Sequence, residues 1–408
     1  MHPIRVSVIG SYIVSNRLIG FNEFSTMTPP ARPLRILHVL RSPVGGLFRH
    51  VVDVARGQAA RGHMVGMICD ASTGGAHATQ TLNALSPDLR LGLSRFAMAR
   101  QISVQDVAAI RQVARFVAQS APDVVHGHGA KGGAFARLAV GAHGPLRVYT
   151  PHGGSLLFEP GTVSGFVYLS FEKLLNPRTD LLLFESAFIA RLYRTKVGEP
   201  AALPRIVPNG VGAAEFEPVP LREDATDILY IGELRHLKGV DVLLAAMAAL
   251  RARGLSLTAT IVGAGASSDE LKRQAEQSGL TAAVRFLAPM PARQAFALGR
   301  IMVVPSRLES FPYIVLEAAA AGKPLIATSV GGIPDMFGPF VGRLIQPDDH
   351  NALADKLSEA VNQPETITDA ASLLRERIRT NFSLDDMVEG GIDAYSAALA
   401  ALQKLKSK

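Results

Sequence analysis

The stretch Pro305-Ser306-Arg307-Leu308-Glu309-Ser310-Phe311-Pro312-Tyr313-Ile314-Val315-Leu316-Glu317-Ala318, closed by Gly322-Lys323-Pro324, decides how this chain is read. The apolar run ending at Val304 predicts a buried strand, and a polar turn follows. Pro312 is then expected at the first position of an alanine-rich helix that Gly322 ends. Proline there gives up only an N–H without an intrahelical partner, while the free amides beside it and the positive end of the helix dipole face an anion. Glu317 falls in the second turn, on an otherwise apolar face where a lone carboxylate is costly to bury.

Five helical steps separate Pro312 from Glu317, roughly 7–8 Å of rise, which compares with the reach from a pyrophosphate to a ribose. Glu309 in the turn and Glu317 on the helix therefore suit a nucleotide diphosphate sugar. The plainer reading stands beside it: Glu309 solvated in a turn and Glu317 held by a lysine or water, since structural ion pairs also keep buried carboxylates.

Working outward, the runs 228–231, 258–262, 284–287, 301–304 and 325–328 alternate with helical segments and predict a parallel sheet covered on both sides. The first turn of that unit is Gly232-Glu233-Leu234-Arg235-His236-Leu237-Lys238-Gly239. A lysine before a glycine at a helix start is placed to hold phosphate as a point charge. Gly263-Ala264-Gly265 is explained by a tight turn alone. The upstream half begins with the strand 34–40, the turn Ser42-Pro43-Val44-Gly45-Gly46 and a helix through Val51, Val52 and Val54, which is how a doubly wound domain starts. Gly45 and Gly46 leave room for an anionic group or simply make a tight turn. Arg49 and His50 follow on the first helical turn, facing an acceptor or solvent.

Two later strands end in histidines. In 122–129, His126 and His128 precede a Lys131-Gly132-Gly133 turn; the rings are expected on opposite faces with no third ligand nearby, so a metal is discounted. His128, at the strand end, remains a cleft candidate. In 148–154, His152 precedes Gly153 and Gly154, where a histidine hydrogen-bonds a sugar hydroxyl in either tautomer, or is satisfied by backbone. The segment 163–175 is too short to span a bilayer and reads as core or a shallow interfacial face.

The stretch from Glu309 to Glu317 resembles the two-glutamate motif of the family-4 retaining glycosyltransferases (glycosyl transferases group 1), and the similarity runs from about Leu34 to the C-terminal region. The resemblance implies an α/β chain of GT-B fold, two Rossmann-like doubly wound domains facing each other across a cleft. It implies that Glu309 lies near the donor sugar and Glu317 binds the ribose hydroxyls. Gly45 and Gly46 would approach the donor phosphates, His152 would face the donor sugar, and Lys238 would stabilise the leaving group. Arg285 to Met290 is similar to the segment beside the nucleobase. The chain departs from the family at Glu233, where the usual arginine is replaced and Arg235 stands in from another angle, and at Pro312, where a glycine amide is lost. Ser310, Phe311 and Tyr313 are then expected to supply the phosphate contact. The family's reaction is viewed as front-face attack assisted by the leaving phosphate, with neither a protein nucleophile nor a metal or other cofactor.

Length and composition agree with two domains: 408 residues, 48% hydrophobic, with Cys69 the single cysteine, so neither an internal disulfide nor a cysteine-based metal cluster can form. The formal charge of +7 comes without a basic stripe interleaved with aromatics, which argues against nucleic acid and for phosphorylated donors, sugar or lipid-linked sugar acceptors and a peripheral contact with anionic membrane. The expected compartment is the cytoplasm or the cytoplasmic face of the inner membrane. The expected organisation is an extension over 1–33, with translation from Met1 or from Met27, an acceptor domain over 34–212, a linker over 213–226, a donor domain over 227–380 and a returning helix over 381–408. Two other functions share these features: a sugar-nucleotide epimerase or phosphorylase on the same scaffold, and a nucleotide-sugar-binding partner without turnover.

Overall fold

The computed structural model describes residues 32–141 and 143–406. The start-site alternative at Met27 and the extension up to residue 31 lie outside the described residues, as do the last two residues of the basic tail. The first sheet contains β1 (Arg35–Leu40), β2 (Met64–Asp70), β3 (Gly92–Phe96), β4 (Val124–His128), β5 (Leu146–Thr150), β6 (Leu181–Phe184) and β7 (Leu203–Ile206). Its strands are parallel in the order β3-β2-β1-β4-β5-β6-β7. The second contains β8 (Thr226–Ile231), β9 (Ala259–Val262), β10 (Val284–Leu287), β11 (Gly299–Val304) and β12 (Leu325–Ala327), parallel in the order β10-β9-β8-β11-β12.

Parallel strands need both faces covered, and these are. Ile36, Leu37, Val39 and Leu40 of β1 are fully buried, with Ile36 in a cluster on one side and Leu37 and Val39 in another. Each such side chain is worth about 1.5–3 kcal/mol of burial. In both sheets the winding reverses beside the first strand, between β1 and β4 and between β8 and β11. Crevices at those points, outside the strand C-termini, are where open α/β sheets bind ligands.

The chain passes between the sheets twice, side by side. Val211 N donates to Phe382 O and Leu384 N to Val211 O, both at 2.9 Å. Gly210 is required there, because a Cβ would come within 2.0 Å of the Ser383 carbonyl oxygen. The Ser383 hydroxyl caps the final helix by accepting from Asp386 N at 3.0 Å. That helix, Leu384–Lys406, lies on the first sheet, where Ala394, Tyr395 and Ala398 join the cluster of Leu34, Ile36, Val124 and Val148.

The helix after the opening stretch runs Tyr313–Ala320, one residue later than expected, and Pro312 is its N-cap with ψ 122°. An extended cap still lets the Pro312 carbonyl accept the first bond, from Val315 N at 3.2 Å. Gly322 ends the helix at φ +68°, with Gly322 N bonding Ala319 O and Lys323 N bonding Ala318 O. Lys323 itself turns away, into the carbonyls of Phe296 and Gly299 at 2.8 and 2.6 Å.

Candidate active site

At the β8/β11 switch point Lys238 and Glu309 meet. Lys238 Nζ donates to both carboxylate oxygens, at 2.7 and 2.9 Å, and the Ser306 hydroxyl adds 2.7 Å to Oε1. Glu309 is buried while Lys238 keeps an exposed edge. Lys238 closes a short turn, His236–Lys238, and Gly239 at φ +68° starts the helix Val240–Ala252. A side chain at Gly239 would strike the Pro305 carbonyl oxygen at 2.0 Å, so the glycine is what lets the two loops touch. Arg307 locks the same junction through a two-pronged pair with Asp241 at 2.8 and 2.6 Å. Gly331 and Gly332 press against the backbone of Glu309 and Ser310 from the other side, with Gly332 N on Ser310 O at 2.8 Å.

Other residues singled out in the sequence divide by position. Arg235 is about half exposed and pairs with Glu233 at 3.2 Å, which draws its guanidinium off the Lys238 cluster. Arg285 is held by Thr260 at 2.7 Å and Asp224 at 3.0 Å, at the N-terminal edge of the second sheet and away from the strand C-termini, because it sits near the start of β10. The geometry leaves Arg285 out of the cluster. Pro289 and Met290 of the same segment do border the crevice, a cavity of about 320 Å³ lined also by Gly232, Glu233, Gly263 and Ala264.

Glu317 reaches across the cleft to Arg49, which also holds Glu215 and, at 3.2 Å, Asp53, with its guanidinium 4.7 Å from the Tyr313 ring centre. Arg49 thus lies inside the cleft, on the helix Gly45–Ala60 that faces Glu317, rather than on a solvated face. Phe311 and Tyr313 bury their side chains, so their backbone is what remains for a phosphate. Across the cleft, Gly46 lies against Tyr313 and Gly153 against Ser310, and Asn209 Nδ2 donates to Phe311 O at 2.9 Å.

The β1/β4 switch point holds five histidines. His38 pairs with His126 in register, and His126 and His128, two apart, share one strand face with ring centres 3.9 Å apart. The expectation of opposite faces and no third ligand is therefore corrected: alternate residues on a strand point the same way, and the neighbouring strand brings His38. Ring nitrogens of His38, His126 and His128 fall within 4.8 Å of one another, as do those of His50, His128 and His152. The nitrogens are engaged in hydrogen bonds: His38 to Gln58 and His128, His126 to Tyr395 and Thr150, His128 onward to His152, and His50 to Asn209. Burial drives His38 and His50 down to about 4 and holds His126, His128 and His152 well below the usual imidazole range, so the cluster is neutral at pH 7. His152 sits at φ +51°, at the cleft end of the chain of rings. Beneath it the buried carboxyl of Glu185 is pushed up to about 7, the nearby amides of His152 and Gly153 offsetting only part of the desolvation.

Sequence reading did not single out His38, Gln58, Glu185, Asn209, Glu215 or Tyr395. The available signal was parity: His38, His126 and His152 all fall at or near the C-terminal ends of adjacent central strands.

Two parallel α/β sheets whose switch points face each other, with a lysine-neutralised loop on one side and a histidine end on the other, make a GT-B fold with a polar cleft between its two sheets. Two family profiles match adjoining parts of the chain, glycosyl transferases group 1 over residues 213–379 and glycosyl transferase 4-like domain over 45–210. The chain belongs to this family of retaining, GT4-type glycosyltransferases. It is 27% identical to a D-inositol 3-phosphate glycosyltransferase of Streptomyces griseus, over 97% of this chain and 95% of that protein. It is 27% identical to a glycogen synthase of Mycobacterium tuberculosis, over 87% and 92%. Among solved structures, the sucrose-phosphate synthase of Thermosynechococcus elongatus superposes with a TM-score of 0.75 at 20% identity, covering 90% of this chain and all of that one. Anabaena HepE, solved with UDP and glucose, gives 0.73 at 18% identity over 89% and 99%. The enzyme transfers sugar from a nucleotide sugar.

Proposed function

We propose that the chain moves a sugar, with retention of configuration, from a UDP- or GDP-sugar to a hydroxyl of a sugar or lipid-linked sugar in envelope, exopolysaccharide or glycolipid synthesis. The observation that carries the reading is the Lys238–Glu309 pair at the second switch point, faced across the cleft by Gly153 and His152. The relatives' names support the substrate class, since they span an inositol phosphate acceptor and a glucan.

In this reading the diphosphate lies between Lys238 and the amides at the start of Tyr313–Ala320, which stabilise the charge that builds on the leaving group. Both oxygens of Glu309 already accept from Lys238, so Glu309 fixes the ammonium and supports the donor sugar electrostatically rather than attacking the anomeric carbon. The base occupies the crevice by Pro289 and Met290, Glu317 accepts from the ribose, and Arg49 orients Glu317. Neither a metal nor another cofactor is needed, because lysine and helix amides supply the positive field. Calorimetric titration tests the site: UDP or GDP binds wild type, and the absence of binding by both would overturn the reading.

The acceptor side includes the helix Val163–Leu175, which exposes Val163, Phe166, Phe171 and Leu174. Among the described residues no helix is long and apolar enough to cross a membrane. This face suits a shallow seat on an anionic bilayer at the cytoplasmic surface. Co-sedimentation with anionic vesicles should fall on Phe166→Glu; equal binding by the variant would exclude this face.

A further inference from the structure

The rings behind His152 form a directed chain. Gln58, fully buried on the helix Gly45–Ala60, turns Oε1 to His38 Nε2 at 2.9 Å and Nε2 to the Tyr395 hydroxyl at 3.5 Å. Each imidazole here is neutral and carries one proton, so one choice fixes the rest. An acceptor at His38 Nε2 means that this nitrogen bears the hydrogen, leaving His38 Nδ1 to accept from His128 Nε2–H at 2.9 Å. His128 Nδ1 must then accept from His152 Nε2–H at 3.1 Å. The Tyr395 branch agrees: its oxygen accepts from Gln58, its proton goes to His126 Nδ1 at 2.7 Å, and His126 Nε2–H donates to Thr150 Oγ1 at 2.8 Å. A reversed Gln58 amide would reverse the whole chain and place the proton of His152 on Nδ1.

We infer that Gln58, acting through His38 and His128, sets the tautomer of His152 so that its Nδ1 presents a bare lone pair to a hydroxyl of the donor sugar. Gln58, His38 and His128 are positioning residues; His152 alone touches substrate. The inference rests on the proposed donor site, but its first half is independent of it. A relay built from long-range pairs, ending in a half-buried ring, gives a neutral side chain with two alternative protonated nitrogens a single presented face. The last helix takes part through Tyr395, which fixes the other end of the Gln58 amide.

Long-range ¹H–¹⁵N spectra of histidine-labelled full-length protein read the tautomer directly. Wild type is expected to show His152 protonated at Nε2, and Gln58→Met, which removes the acceptor at His38 Nε2, to give a mixture of both tautomers. For Gln58→Met, kcat/KM with the nucleotide sugar should fall by about 2- to 10-fold, the worth of one neutral hydrogen bond, while affinity for the free nucleoside diphosphate stays unchanged. His152 protonated at Nδ1 in wild type, or a tautomer indifferent to Gln58→Met, overturns the relay. A tautomer that shifts without any change in kcat/KM overturns its link to the sugar. Failure of wild type to bind any nucleoside diphosphate would refute the donor site instead and leave the spectra standing.

Discussion

Lys238 and Arg235 stand three positions apart on one loop, and what holds each decides its use. Lys238 is anchored on a buried carboxylate at a helix start, whereas Arg235 is half exposed and drawn aside by Glu233. Lys238→Ala is expected to lower turnover by roughly 10²–10³-fold, as loss of a preorganised stabiliser does. Arg235→Ala should cost clearly less; steady-state kinetics that rank them the other way would reverse the assignment. Glu317→Gln should weaken nucleoside diphosphate binding by about 1–3 kcal/mol, the range of a charge-assisted hydrogen bond, and unchanged titration curves would remove Glu317 from the ribose. Lys238, Glu309 and Glu317 were legible because a loop, a turn and a helix face are local features. Gln58 and Tyr395 were not, because they lie 337 positions apart and only the tertiary fold joins them.

At the scale of one element, the loop after β5 rests on the end of β6. Glu185 there is fully desolvated, and neither carboxylate oxygen has a hydrogen-bond partner by strict geometry among the described residues. Its folded pKa, about 7, lies above the unfolded value, so the protein binds the proton more tightly than the open chain does. The stability this contributes is full below about pH 4.5 and is lost as pH rises to about 7. Glu185→Gln should therefore raise stability at pH 8 by up to about 3 kcal/mol and change little at pH 4.5. Urea midpoints at the two pH values measure it, and a pH-independent difference would show that the carboxyl is not the cause. The element pattern itself was readable from alternating apolar runs and glycine turns. The one-residue shift of Pro312 from helix to cap was not, since proline's φ suits both positions and ψ is set by the packing of the turn.

For the whole molecule, two sheets, two crossings of the chain and a last helix lying on the first sheet bring the switch points face to face. The five clustered histidines make this arrangement sensitive to acid. Their folded pKa values are depressed, so their contribution is full above about pH 6.5 and is lost as pH falls toward 4. Five protons taken up on unfolding give a slope of up to about 7 kcal/mol per pH unit, opposite in sign to Glu185 and larger. Denaturation midpoints should drop steeply from pH 6.5 to 5, and a flat profile would mean that the rings are not held neutral. The two-sheet architecture was legible from the repeat of strand, turn and helix in each half, whereas the contact of Arg49 with Glu317 required both halves in place. If Lys238 stabilises the departing diphosphate in a retaining transfer, product analysis will show both the stereochemistry and the dependence on that lysine. With an α-linked UDP- or GDP-sugar and an acceptor panel, the anomeric coupling of the product is expected to show the α configuration, with product formation collapsing in Lys238→Ala. A β-linked product would exclude retention, and α product formed at the wild-type rate by Lys238→Ala would exclude Lys238 as the stabiliser of the leaving group.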